Sequence, residues 1–127
     1  MERIISYTKL NDGYRFNGAL KPQGVMIHST ATPGIMAKAF RERFNRAGLG
    51  KSVHGFIDDE CYIQCLPYDK KAGHARYSAN DTHIGIEMCE PKGWTTDRGY
   101  FEKVYANTVA ITADLCEQFN IAVTPIS

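Results

Sequence analysis

Apolar positions along this chain fall into short runs and spaced stripes, separated by turn-forming residues. Val25, Met26 and Ile27 form a short apolar run that ends in His28. Small and hydroxylated residues follow, then Pro33-Gly34. This predicts a buried strand that stops at a histidine, with a turn leading into a helix. Over residues 35–47, Met36, Phe40, Phe44 and Ala47 recur at helical spacing, with Lys38, Arg41, Glu42 and Arg43 around the other side. Gly48 ends that helix. Residues 52–58 and 61–66 read as two strands joined by the polar turn Asp58-Asp59-Glu60, a hairpin stopped by Pro67.

Residues 68–80 read as a loop with His74 between small neighbours. Residues 83–88 alternate strictly: Ile84, Ile86 and Met88 point one way, His83, Gly85 and Glu87 the other. Glu90 and Lys92, flanking Pro91, read as solvated, and residues 91–100 as a surface loop carrying Trp94. Over residues 101–119, Phe101, Val104, Tyr105, Thr108, Ile111, Leu115 and Phe119 make a helical stripe, most simply laid on the sheet. Residues 121–127 begin an extended segment, and residues 1–20 an N-terminal arm with one short strand or helical turn.

A length of 127 residues suits one domain, and 43% hydrophobic and 23% charged residues place it among ordinary globular chains. The net charge of +1, with no basic stripe or basic-aromatic motif, gives no reason to propose nucleic acid as a partner. No apolar segment is long enough to span a membrane. Residues 1–10 lack the apolar core of a signal peptide, so synthesis in the cytoplasm is expected. Cys61, Cys65, Cys89 and Cys116 contain no C-x-x-C pair, which argues against a zinc knuckle. Cys61 and Cys65 would face one side of a strand roughly 13 Å apart, too far for a disulfide. Buried, reduced cysteines are expected.

Two stretches carry candidate chemistry. His28 closes an apolar strand, and strand ends in open α/β sheets are where ligands usually bind; a structural histidine bonded to backbone is the alternative. Glu87 sits inside an apolar strand, which is costly unless it is paired or working. Gly85 beside it suits close approach by a ligand or another backbone. His74 has room to face a groove, or else ties down its loop.

The chain resembles the zinc-dependent N-acetylmuramoyl-L-alanine amidases of the type-2 amidase and peptidoglycan-recognition-protein superfamily, nearest to those of clostridial phages, prophages and related gut bacteria. The resemblance rests on Val25-Met-Ile-His-Ser-Thr-Ala31, Val53-His-Gly-Phe-Ile-Asp58, Ile63-Gln-Cys-Leu-Pro67, Ala72-Gly-His-Ala75 and Thr82-His-Ile-Gly-Ile-Glu-Met-Cys-Glu-Pro91, in the family's order and spacing over about residues 20–120. It implies an α/β fold, a central mixed β-sheet flanked by helices, forming one amidase catalytic domain over residues 1–127. It also implies zinc-dependent hydrolysis of the amide between N-acetylmuramic acid and L-alanine of bacterial peptidoglycan, acting at the cell wall. By position, His28 matches the first zinc ligand and Glu87 the glutamate that serves as general base or positions water. His74 matches a groove histidine, with Thr30 and Trp94 as further substrate-binding candidates.

Two departures accompany the resemblance. At Val53 some relatives carry a tyrosine near the metal. The family's second and third zinc ligands follow the long helix and are expected beyond Ser127, so weak zinc binding by this polypeptide alone is expected. His83 lies four residues along the strand from Glu87, roughly 13 Å away, and His54 is expected to face away from the groove. His74, on a flexible loop, is the one candidate stand-in. The alternatives to an amidase are a non-catalytic peptidoglycan-binding module and a metal hydrolase completed by another copy, through homo-oligomers at an exposed sheet edge.

Overall fold

A computed structural model describes residues 1–11, 18–76, 78–93 and 97–123. In chain order its elements are β1 (Glu2–Ile5), β2 (Gly24–Ser29), α1 (Ala37–Phe44), β3 (Gly55–Ile57), β4 (Cys61–Gln64), α2 (Ala79–Thr82), β5 (His83–Met88) and α3 (Arg98–Gln118). The strands form one sheet in the order β1-β4-β3-β5-β2. Only the β3–β4 hairpin is antiparallel; β1 pairs β4, and β5 pairs both β3 and β2, in parallel. This is the mixed α/β sheet flanked by helices that the resemblance implies.

Strand parity divides the core into two layers. Ile84 and Ile86 of β5, with Ile57 and Tyr62, pack against Val104, Ile111 and Leu115 of α3. On the opposite face, Phe56, Cys61, Ile63 and Cys65 pack against Ala37 and Phe40 of α1. The four cysteines are free; Cys61, Cys65 and Cys89 are buried as small apolar residues. The N-terminal arm supplies β1, an edge strand that pairs residue for residue with β4.

Several element boundaries differ from the pattern. The first helix occupies Ala37–Phe44 rather than 35–47, because Gly34 adopts φ +83° and Met36 is still extended. The long helix begins at Arg98, a turn before its first apolar residue, since a first helical turn needs no buried side chain. Its stripe is narrower than the sequence suggests: Tyr105 is 58% exposed, and Val109, outside the stripe, is 52% exposed beside it. These residues overhang edge strand β2 beside exposed Ile27. The short helix α2 inside the predicted loop was beyond periodicity, which four residues cannot display. Glu90 is half-buried rather than solvated, with Oε2 enclosed.

The β3–β4 turn is the joint of the molecule. The Asp58 carboxylate accepts from the backbone N–H of Glu60 and Cys61 at 2.8 Å each, closing the turn. Its other oxygen accepts from the N–H of Ala37 at 3.0 Å, capping α1 from across the fold, where Met36 supplies no side-chain cap. Asn107 of α3 donates to the carbonyls of Asp58 and Asp59, both at 3.0 Å. Replacing Asp58 by alanine leaves three backbone donors unpaired, two of them by the buried turn. A loss of about 2 kcal/mol in unfolding free energy is expected from denaturant titration, and Asp58→Asn should lose less because it keeps an acceptor oxygen. An unchanged midpoint for Asp58→Ala would show that water replaces the carboxylate.

Candidate active site

The sheet brings the two sequence stretches together. In the parallel β2–β5 pair, His28 lies directly across from Glu87, and in the β3–β5 pair Glu87 lies across from Phe56. Register partners share a face, so His28, Glu87 and Phe56 form one row running from the sheet edge into the core. The chain turns sharply after β2: Ala31 adopts φ +54°, in the left-handed region that residues with a Cβ rarely enter. That turn carries Thr30 and Thr32 over the end of the sheet.

Beside the row is a cleft of about 130 Å³, walled by Thr30, His74, Glu87, Lys51 and the rings of Phe44 and Phe56. The aromatic floor is packed by Phe40 stacked on Phe56, with centroids 5.2 Å apart, and Phe44 edge-on to Phe56 at 4.9 Å. Burial in this apolar setting pushes the Glu87 carboxyl up to about 7, against a smaller opposing pull from Lys51. Glu87 Oε2 and Thr30 Oγ1 are buried there without a hydrogen-bond partner among the described residues. Two orphaned polar atoms in one cleft fit a site built for a polar ligand.

His74 is held rather than loose, which corrects the flexible-loop expectation. Asn80 Oδ1 accepts from the backbone N–H of His74 (3.0 Å) and Ala75 (2.8 Å), and Asn80 donates back to the Ala75 carbonyl. Gly73 and Ser52 exchange a further pair of hydrogen bonds. The His74 ring lies over Gly85, where a Cβ would overlap it. The close approach that Gly85 permits is thus made by a histidine side chain. His74 Nδ1 is 2.9 Å from His28 Nε2, and its Nε2 is 3.0 Å from the His83 carbonyl. Both ring nitrogens of His74 are therefore engaged within the protein. Burial holds His28 below its ordinary pKa and brings His74 down to about 4, partly offset by the His83 carbonyl, so both are neutral at neutral pH.

The other histidines make no bond to His28, although the His54 ring meets the His74 ring edge-on with centroids 6.2 Å apart. His54 is fully buried, with Nε2 against the Lys70 carbonyl (2.6 Å) and Nδ1 accepting the Gly85 N–H (3.0 Å); burial lowers its pKa to about 4. His83 turns its ring onto Gly24 and bonds Thr82. Trp94 lies outside the described residues. Lys51, Ser52 and Asn80 went unnoticed in the sequence. An asparagine just ahead of a strand is a local signal for backbone capture and marks Asn80 in hindsight; nothing local marks Lys51.

Among the described residues no group of three or more His, Cys, Asp or Glu side chains is placed to hold a metal ion. His28 offers one neutral nitrogen donor and Glu87 one orphaned carboxylate oxygen; a catalytic zinc ordinarily takes three protein ligands. These residues fit part of such a site and do not complete it. Likewise, among the described residues no helix is long and apolar enough to cross a membrane.

Comparison with known proteins identifies the family and the fold. The chain is 30% identical over 115 residues to a probable N-acetylmuramoyl-L-alanine amidase of Bacillus licheniformis, covering 79% of this chain and 31% of that protein. It is 29% identical to the N-acetylmuramoyl-L-alanine amidase XlyA of Bacillus subtilis, covering 85% and 36%. The chain thus spans about a third of the length of these curated relatives. Among solved structures, the catalytic domain of XlyA superposes with a TM-score of 0.84 at 27% identity, covering 96% of this chain and 80% of that domain. The model of the family Amidase_2, N-acetylmuramoyl-L-alanine amidase, matches residues 18–126, so the chain belongs to that family.

Proposed function

We propose that this chain is the catalytic part of a peptidoglycan hydrolase that cleaves the amide between the lactyl group of N-acetylmuramic acid and L-alanine of the stem peptide. The observation that carries this reading is Glu87: a carboxylate in the cleft, raised to about 7, with one oxygen unpartnered, in register with His28. A group poised there can take a proton from water and return it to a leaving amine near neutral pH. Thr30 and Trp94 are assigned to substrate contact, and His74 forms part of the cleft wall. Lys51 supplies positive charge at the cleft, suited to the anionic stem peptide.

His28 is assigned as one zinc ligand, with further ligands drawn from outside the described residues. Zinc, when bound, lowers the pKa of a coordinated water and polarises a carbonyl. The protein's own part is to hold the scissile amide against Glu87, exclude bulk water with the Phe44–Phe56 floor and move the proton.

The test is incubation of the purified chain with purified cell wall and excess zinc, scoring new alanine amino termini. Alanine termini are expected without new reducing sugar ends, and a chelator should abolish them. A folded chain that carries bound zinc yet releases none would overturn the assignment. Retained wall binding in that case would identify a recognition module instead.

A further inference from the structure

The contacts of His74 define a role of their own. The His83 carbonyl can only accept, so His74 Nε2 must carry the proton of that 3.0 Å bond. A neutral imidazole has one N–H, which leaves His74 Nδ1 as a lone-pair acceptor. The 2.9 Å bond between the rings is then donated by His28 Nε2. The same rule leaves His28 Nδ1 unprotonated, and it has no partner among the described residues. The arrangement is over-determined. Asn80 fixes the backbone at His74, Gly85 lets the ring seat against β5, and the two rings meet at a 69° angle, 5.2 Å apart.

We propose that His74 is the positioning residue of this site, fixing His28 in the tautomer protonated on Nε2 so that the Nδ1 lone pair is its single available donor atom. The carbonyl of His83 sets His74, and His74 sets His28. Partners that orient a ligating histidine in this way are usually carboxylates, carbonyls or waters; here a second histidine relays a carbonyl. The use of that lone pair for a metal rests on the function proposed above, whereas the tautomer does not.

Imidazole nitrogen spectra of the metal-free, 15N-histidine-labelled chain near pH 7 provide the test. In the wild type both His28 and His74 should show a protonated Nε2 and a pyridine-like Nδ1. In His74→Leu, His28 should lose that single-tautomer signature and average between forms. His74→Asn places an amide oxygen near the former Nδ1 and should restore it. Gly85→Ala leaves His74 in the sequence but drives its ring away, and should behave like His74→Leu. Circular dichroism checks that each variant is folded; if His74→Leu is not, the wild-type and His74→Asn spectra decide. A wild-type His28 protonated on Nδ1, or a His28 signature unchanged in folded His74→Leu, would overturn the proposal. Zinc-dependent alanine release with the wrong tautomer would remove this inference and leave the amidase assignment standing; the predicted tautomer with no release by the zinc-loaded chain would do the reverse.

Discussion

Replacing Glu87 by glutamine is expected to lower amide hydrolysis by about 10²–10⁴-fold, the range over which a positioned general base contributes. Glutamine keeps the volume and one acceptor oxygen but cannot take a proton. The fold should survive, because Glu87 has an unpartnered oxygen among the described residues and gives up no ion pair found there. Circular dichroism and the unfolding midpoint should match wild type while release of alanine termini collapses. A variant with more than a tenth of wild-type activity would place the proton acceptor elsewhere.

The same carboxyl gives the metal-free chain a pH signature. Its folded pKa, about 7, lies above its ordinary value of 4.5, because burial penalises the charged form. Below about pH 4.5 the group is protonated whether the chain is folded or unfolded, and it costs nothing. Between about 4.5 and 7 the unfolded chain releases a proton that the folded chain retains. Stability from this group therefore falls as pH rises through that window and levels off above it. Chemical denaturation from pH 4.5 to 7.5 should show a downward contribution in wild type that is absent in Glu87→Gln. Equal pH dependence in the two proteins would mean that the carboxyl ionises in the fold as it does in water.

The second large effect lies in the floor beneath that carboxylate. Phe56→Ala should destabilise the chain by about 3–5 kcal/mol, as deleting a buried phenylalanine usually does. Phe56 is completely buried, stacked by Phe40 and met edge-on by Phe44, and it continues the row that begins at His28. Its loss opens a cavity at the centre of the α1 layer and removes two aromatic contacts. Against a typical domain stability of about 5–15 kcal/mol, that is a large fraction. The urea midpoint measures it directly. A shift worth less than about 1 kcal/mol would mean that α1 collapses onto the sheet to fill the space.

Much of this was legible in residue order. The apolar run ending in His28, the alternation through Glu87 and the stripe Val104, Thr108, Ile111, Leu115 each form a strand or helix as predicted, but the first is an edge strand with no buried residue rather than the buried strand expected, because nothing pairs or packs beyond β2 among the described residues. His28, Glu87 and His74 were marked by their neighbours and Thr30 by the resemblance, and the fold gathers them around one cleft. Asn80, Ser52 and Lys51 were not, because their work depends on what folds against them. The breadth of the α3 stripe was overstated for a related reason: periodicity reports which face is apolar, not how much of it the sheet covers.

By itself the sequence determined four of the five strands, the two faces of β5, the two longer helices and the motif set that places the chain among the amidases. Side-chain period is a property of the local backbone, so a linear string carries it. Tertiary structure alone decided that β2 pairs β5 in the register that sets His28 across from Glu87, that Asp58 caps α1 from another element, and that His74 reaches back 46 residues to His28. Register and loop placement are fixed by contacts between residues distant in sequence, and no local pattern encodes which of them will meet.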